Sequence, residues 1–267
     1  MKSTILMLSL LFISVGTVQA QTEKKLNTGN VSLYLCTNYS SEKDELINVF
    51  TGFTSKGKKE FKVVARIQDF EPNVVHQLEI RFINPAKKSM FESEKIPFTL
   101  KSNMSIHNQI DNVAATFDME GVYQVQALID DKIVQYINFN VGGHVAQNMG
   151  KGNVSMVVCT DYDDDKDTIS GMYTGVKRPK NTQLKLFLRF QDFLLNVANK
   201  AVIKLITPAG KNLLEREEIT FTNGHNANVH NHTQNMTVPL STSGVYQFQV
   251  EVNGKTVQYL NFNVGNE

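Results

Sequence analysis

Apolar and polar residues alternate with a period of two along much of this chain. From Tyr246 to Val252, Tyr246, Phe248, Val250 and Val252 fall on one face and Gln247, Gln249 and Glu251 on the other. That is the pattern of a strand with one buried face. From Gln183 to Phe190 the same period aligns Leu184, Leu186, Leu188 and Phe190. Ala201 to Ile206 is an apolar run stopped by Thr207, Pro208, Ala209 and Gly210, a turn signal. Asn253 and Gly254 predict a two-residue hairpin, with Thr256 to Val264 as the returning strand. Asp130 and Asp131 occupy the equivalent turn earlier in the chain. About seven or eight such strands fit each half of the sequence, and no long stretch shows helical period. The expected class is all-β.

The pattern is written twice. Gly29-Asn30-Val31-Ser32 recurs as Gly152-Asn153-Val154-Ser155, an offset of 152 − 29 = 123. The same offset carries Cys36-Thr37 onto Cys159-Thr160, Tyr39 onto Tyr162 and Thr51-Gly52 onto Thr174-Gly175. It carries Gln68-Asp69-Phe70 onto Gln191-Asp192-Phe193, Pro85-Ala86 onto Pro208-Ala209, and Gly121-Val122-Tyr123-Gln124 onto Gly244-Val245-Tyr246-Gln247. Without a gap, 46 of the 114 positions of 29–142 match 152–265. A period this long means two whole domains rather than solenoid repeats. The expected organisation is a first copy over 29–142, a linker over 143–151 and a second copy over 152–267.

Each copy reads as an antiparallel β-sandwich. Gly121-Val122-Tyr123 and Gly244-Val245-Tyr246 open the penultimate strand with a Tyr just after a Gly turn. This is the pattern of a tyrosine corner and favours an immunoglobulin-like version, although the chain has no Trp for an antibody-type core. The order of features is an opening strand ending in Cys-Thr, an acidic loop, Thr-Gly, a Pro-Ala turn, Gly-Val-Tyr and a closing hairpin. That order resembles an uncharacterised family of bacterial Ig-like β-sandwich proteins. The resemblance implies two tandem Ig-like sandwiches and no catalytic residues, because the family has no assigned activity. The chain departs from that family in carrying two copies and an export signal.

The export signal is read from residues 1–20. Lys2 is followed by an apolar stretch from Ile5 to Val15, and Val18 and Ala20 place small residues before Gln21. The apolar stretch is shorter than a membrane span. Residues 21–28 read as a polar, flexible leader. The expected address is secreted or cell-envelope. Net charge is +1, so nothing draws the chain to nucleic acid or to an anionic membrane. The two Cys exclude a disulfide-dense scaffold. Sixteen Phe point to cores built on Phe with Leu, Ile and Val.

Four groups of residues could carry chemistry. Arg66, Gln68 and Asp69 recur as Arg189, Gln191 and Asp192. Polar residues ending an apolar strand form either a ligand ledge at the sandwich rim or caps on a crossover loop. His225, His230 and His232 are the richest nitrogen cluster, and 230 and 232 share a strand face. They read either as zinc or copper ligands or as a polar strand edge. Their first-copy counterparts are Ser102, His107 and Gln109, so the cluster belongs to the second copy alone. Asp161, Asp163, Asp165 and Asp167 alternate like calcium ligands, but Lys166 and Met172 stand where an EF-hand needs Gly and Glu.

Cys36 and Cys159 occupy equivalent strand positions. They act either as buried free thiols or as a bridge between copies or chains. Sequons begin at Asn30, Asn38, Asn103, Asn153, Asn231 and Asn235. No nucleophile elbow, phosphate loop or dinucleotide fingerprint occurs, and no cofactor is implied. The sequence therefore predicts a secreted or surface-associated, non-enzymatic binding protein with a protein or glycan partner. The competing expectation is a metal-dependent hydrolase or metal-binding protein seated on the second copy.

Overall fold

The computed structural model describes residues 28–102, 105–142, 152–177, 180–194, 196–214, 217–223 and 229–265. The export signal, the linker at 143–151, Asn103 and His225 lie outside the described residues. Twenty strands and no helix occur among the described residues.

The first half contributes β1 (Thr28–Ser40), β2 (Glu45–Val49), β3 (Gly52–Phe53), β4 (Gly57–Phe70), β5 (Val75–Ile83), β6 (Ser89–Glu92), β7 (Ile96–Thr99), β8 (His107–Phe117), β9 (Gly121–Ile129) and β10 (Lys132–Val141). The second contributes β11 (Asn153–Cys159), β12 (Asp161–Asp163), β13 (Thr168–Ser170), β14 (Gly175–Val176), β15 (Lys180–Gln191), β16 (Ala198–Ile206), β17 (Glu217–Thr222), β18 (Val229–Leu240), β19 (Gly244–Val252) and β20 (Lys255–Val264). Ten strands per half exceed the expected seven or eight, because short pieces such as β3 and β6 add to the long ones. Thr28, expected to close the leader, instead opens β1.

Two sheets enclose each core. In the first half they run β2-β1-β4-β8 and β3-β10-β9-β5-β6, with β7 also pairing β5. In the second they run β11-β15-β18 and β14-β20-β19-β16-β17. Pairing is antiparallel except for β3 with β10 and β14 with β20. Alternation decides which side chains face in. From β4, Phe61, Val63, Ala65 and Ile67 enter the first core, beside Phe82, Phe117 and Phe139. From β15, Leu184, Leu186, Leu188 and Phe190 enter the second, as the sequence predicts.

The turns follow their residues. Asn253 and Gly254 have φ of 50° and 78°, and Asp130 and Asp131 have 50° and 65°. Positive φ at both central positions is the type I′ hairpin, whose twist matches that of the flanking strands. Both tyrosine corners are present. The Tyr123 hydroxyl donates to the Met119 carbonyl at 3.0 Å, and the Thr242 amide donates to the Tyr246 hydroxyl at 3.3 Å.

The halves do not hang as separate beads. β13 of the second half pairs with β2 of the first at Ile169–Leu46 and extends its sheet to β12-β13-β2-β1-β4-β8. A third apolar cluster fills the seam between the halves. It combines Tyr34, Cys36, Leu46, Val49 and Val64 with Val157, Cys159, Ile169, Met172 and Phe187. The central residues of β1, β4, β11 and β15 are therefore buried on both faces.

Candidate functional site

The recurrent polar motif lies in this seam. Arg66 and Gln68 alternate with the inward residues of β4 and so occupy its outer face, as Arg189 and Gln191 do on β15. The ledge reading needs that face to be open, but the opposite half covers it. Arg66, Gln68, Asp69, Arg189, Gln191 and Asp192 are all 4% exposed or less. Asp69 and Asp192, at φ of 63° and 60°, turn the chain out of the strand.

Many bonds across the seam come in pairs related by the offset of 123, while Ser170 Oγ to Glu45 Oε1, at 2.8 Å, has no such mate. Ser32 Oγ donates to the Met156 carbonyl at 3.3 Å, and Ser155 Oγ donates to the Leu33 carbonyl at 3.4 Å. The Val49 amide reaches the Asp167 carbonyl at 2.9 Å, and the Met172 amide reaches the Asp44 carbonyl at 3.4 Å. Asn30 Nδ2 donates to the Tyr259 carbonyl, and Asn153 Nδ2 to the Tyr136 carbonyl. Leu46 and Ile169, themselves 123 apart, pair with each other. This is the arithmetic of an isologous interface, in which i meets j and j meets i. The seam is a pseudo-two-fold contact within one chain.

Each arginine is held by its own half. Arg66 Nη1 lies 2.7 Å from Asp44 Oδ2, and Arg189 Nη2 lies 2.7 Å from Asp167 Oδ2. Tyr39 donates to Asp44 at 2.7 Å and Tyr162 to Asp167 at 3.0 Å. Asn108 and Asn231 donate to those phenols, both at 2.9 Å. Burial, and next the neighbouring aspartate, push both phenols above their ordinary range. The sequence reading missed Asp44, Asn108 and Asn231 as members of this network. The signal was available, because all four positions repeat at the offset of 123.

Asp69 is a buried acid with a displaced titration. Burial raises its carboxyl from 3.8 to about 6, against hydrogen bonds from Asn261 and Gln68 that lower it. The Asn261 amide, on β20 of the other half, donates to Asp69 Oδ2 at 3.3 Å.

The remaining candidates are dispersed. His230 stacks on Phe221 with centroids 5.6 Å apart, and burial lowers its imidazole. His232 meets Gln234 at 3.1 Å. Among the described residues no three His, Cys, Asp or Glu converge on a common point. In the acidic loop, Asp161 pairs with Lys185, Asp163 with Lys166 and Asp167 with Arg189. Three of its five acids thus face cations of the protein itself. Cys36 and Cys159 are free and buried, and burial pushes each thiol up to about 12. Asn30 and Asn153 lie under the seam, so neither sequon is presented there, whereas Asn38 and Asn235 are exposed.

Described residues line two clefts of useful size. One, of about 480 Å³, lies over β15 and β18 beside Cys159 and Tyr173. The other, of about 410 Å³, lies between β5, β6 and β8.

A family model described as a family of unknown function, DUF6941, matches residues 58–142, less than half of the chain. No curated protein matches. Among solved structures, the chain is similar at 11% identity to red sea bream transglutaminase, with 85% of this chain covered, 32% of that one, and a TM-score of 0.28. Domains 3 and 4 of rat CD4 show 14% identity, coverage of 80% and 99%, and a TM-score of 0.23. The Escherichia coli adhesin FdeC shows 13% identity, coverage of 86% and 67%, and a TM-score of 0.28. The chain spans only a third of the transglutaminase, and similarity at this level carries no argument about activity. The all-β sandwich architecture rests on the sheets themselves.

Proposed function

We propose that this chain is an exported, non-enzymatic binding protein whose two β-sandwich domains act as one rigid unit. The observation that carries this reading is the seam. It absorbs the recurrent polar motif into structure and fixes the two sandwiches relative to each other. Among the described residues, loops, clefts and the long terminal strands β8 and β18 face outward, the parts through which sandwich folds engage partners. The unknown-function family match and the sandwich architecture are compatible with such a role. Export and a surface address follow from residues 1–20 as read from the sequence.

The test is a glycan array and an affinity capture from envelope and extracellular fractions, both with the full chain. Selective, saturable binding is expected. Absence of any selective partner, or recovery of the chain in the cytoplasmic fraction, overturns the reading.

A further inference from the structure

The cleft of about 410 Å³ in the first half has a composition that its second-half counterpart lacks. Ile80, Phe82, Phe91 and Val113 line it, and Asp111 supplies its carboxylate. Val63, which enters the core, is the register partner of Asp111, and Val113 on the same face of β8 is core as well. Asp111 therefore faces inward, between the two sheets. The Phe82 and Phe91 rings stack with centroids 4.2 Å apart and an interplanar angle of 24°. At the offset of 123 the corresponding residues are Leu205, Leu214 and Gln234. Both the aromatic pair and the acid are thus absent from the other half.

β8 is also the terminal strand of its sheet. Its register against β4 runs unbroken from Gly57–Phe117 to Ile67–His107, with no bulge. Residues 107–117 contain no Lys, Arg or Pro. Exposed edges are ordinarily blunted by such residues, by bulges or by inward charges, and among the described residues of β8 the inward charge is the device present. A carboxylate facing an apolar cleft deters strands that would bury it unpaired. The same carboxylate selects a strand that brings a cation to it.

We propose, building on the binding-protein reading, that β8 and this cleft accept an extended peptide segment carrying a Lys or Arg at an inward position. Main-chain bonds to β8 extend the sheet. Neighbouring apolar side chains of the peptide pack against Phe91 at the cleft mouth. The cationic head meets Asp111 beside Phe91, the partly exposed ring of the pair, combining a charge-assisted hydrogen bond with a cation–π contact. Gln109 Nε2 donates to Asp111 Oδ1 at 2.6 Å and holds the carboxylate in place.

The test uses the full chain and a fluorescein-labelled, end-capped heptapeptide of sequence Thr-Val-Thr-Arg-Thr-Val-Thr, with the neutral isostere citrulline replacing Arg in a second peptide. Fluorescence anisotropy is expected to show saturable binding of the Arg peptide, with amide exchange slowed along β8. Roughly tenfold or greater weakening is expected for the citrulline peptide and for Asp111→Asn, since each removes a charge-assisted contact. Phe91→Leu is expected to weaken binding as well, while Gln234→Ala leaves it unchanged. Equal affinity for the two peptides, no binding at millimolar peptide, or indifference to Asp111→Asn overturns the proposal. The peptide comparison needs no variant, so it decides the matter even if a substitution perturbs folding. A selective partner whose capture ignores Asp111 would leave the binding-protein reading standing and remove only this site.

Discussion

Asp69→Asn isolates a strongly perturbed carboxyl of the seam. The replacement keeps the size and an acceptor oxygen for the Asn261 amide, but it cannot ionise. In the folded chain the Asp69 carboxyl is raised from 3.8 to about 6, chiefly by burial. Between those two values the folded state holds a proton that the unfolded state has released. Stability therefore falls as pH rises through that window. At about 1.4 kcal/mol per pH unit, the interval from 3.8 to about 6 amounts to about 3 kcal/mol. Wild type and Asp69→Asn are expected to differ little near pH 3.5. The variant should then gain on wild type by about 3 kcal/mol by pH 7, with no further change above. Urea unfolding of both proteins at half-unit pH steps measures this, because the other titrating groups cancel in the difference when they do not couple to residue 69. A difference that stays flat with pH would refute the reasoning. So would wild type gaining on the variant as pH rises, which would mean that the seam stabilises the carboxylate.

Four further outcomes follow from the same geometry. Asp44→Asn and Asp167→Asn should each cost about 3–5 kcal/mol in chemical denaturation by stranding a buried arginine, and the double variants with Arg66→Met or Arg189→Met should recover much of that loss. Tyr123→Phe removes the hydroxyl that closes on Met119 and should lower stability by about 1 kcal/mol, read as a shift in the urea midpoint at constant slope. Cys36 and Cys159 should ignore a thiol reagent at pH 8 in the native protein and react fully in denaturant, since both are buried and raised to about 12; prompt native labelling would refute that. Tyr34→Val should cost about 2–4 kcal/mol by opening a cavity, and adding Val157→Tyr should return part of it in a double-mutant cycle, because both side chains belong to the one seam cluster.

The strands were legible because their alternation is strong. Leu184, Leu186, Leu188 and Phe190 reach the core they were assigned to. The Asn253-Gly254 hairpin and both tyrosine corners follow from short local rules. The seam was not legible, for a physical reason. A strand buried on both faces loses the polar half of its alternation, and β1 from Val31 to Cys36 reads as a nearly continuous apolar run. That run fits either a core strand or one covered by a second layer. Arg66 and Gln68 looked like a ledge because polar residues are mostly exposed, and only the covering half shows that they are not. The cation-selective cleft was equally hidden. Asp111 carries no motif, and the pairing of Phe82 with Phe91 depends on β5 lying beside β6.

The seam also shows how two similar halves can hold a specific arrangement. Five of its polar positions are the same in both halves: Asn30 and Asn153, Ser32 and Ser155, Asp44 and Asp167, Arg66 and Arg189, Asp69 and Asp192; Glu45 with Ser170 is a polar contact that the offset does not repeat. Two identical faces would meet on a true two-fold axis, and these bonds still do so in pairs. The apolar members have diverged. Tyr34 is the register partner of Val64 on the first half, whereas Val157 is the register partner of Phe187 on the second. Each half thus brings one large and one small residue, exchanged between the equivalent strands. A close-packed interior does not tolerate both large residues at one position and both small ones at the other. The shared polar bonds set the register, and the exchanged volumes make the first half fit the second better than a copy of itself. Covalent linkage keeps the correct partner at high effective concentration. Together these features direct the chain to close on itself, which holds the β8 cleft in one fixed orientation to the rest of the molecule.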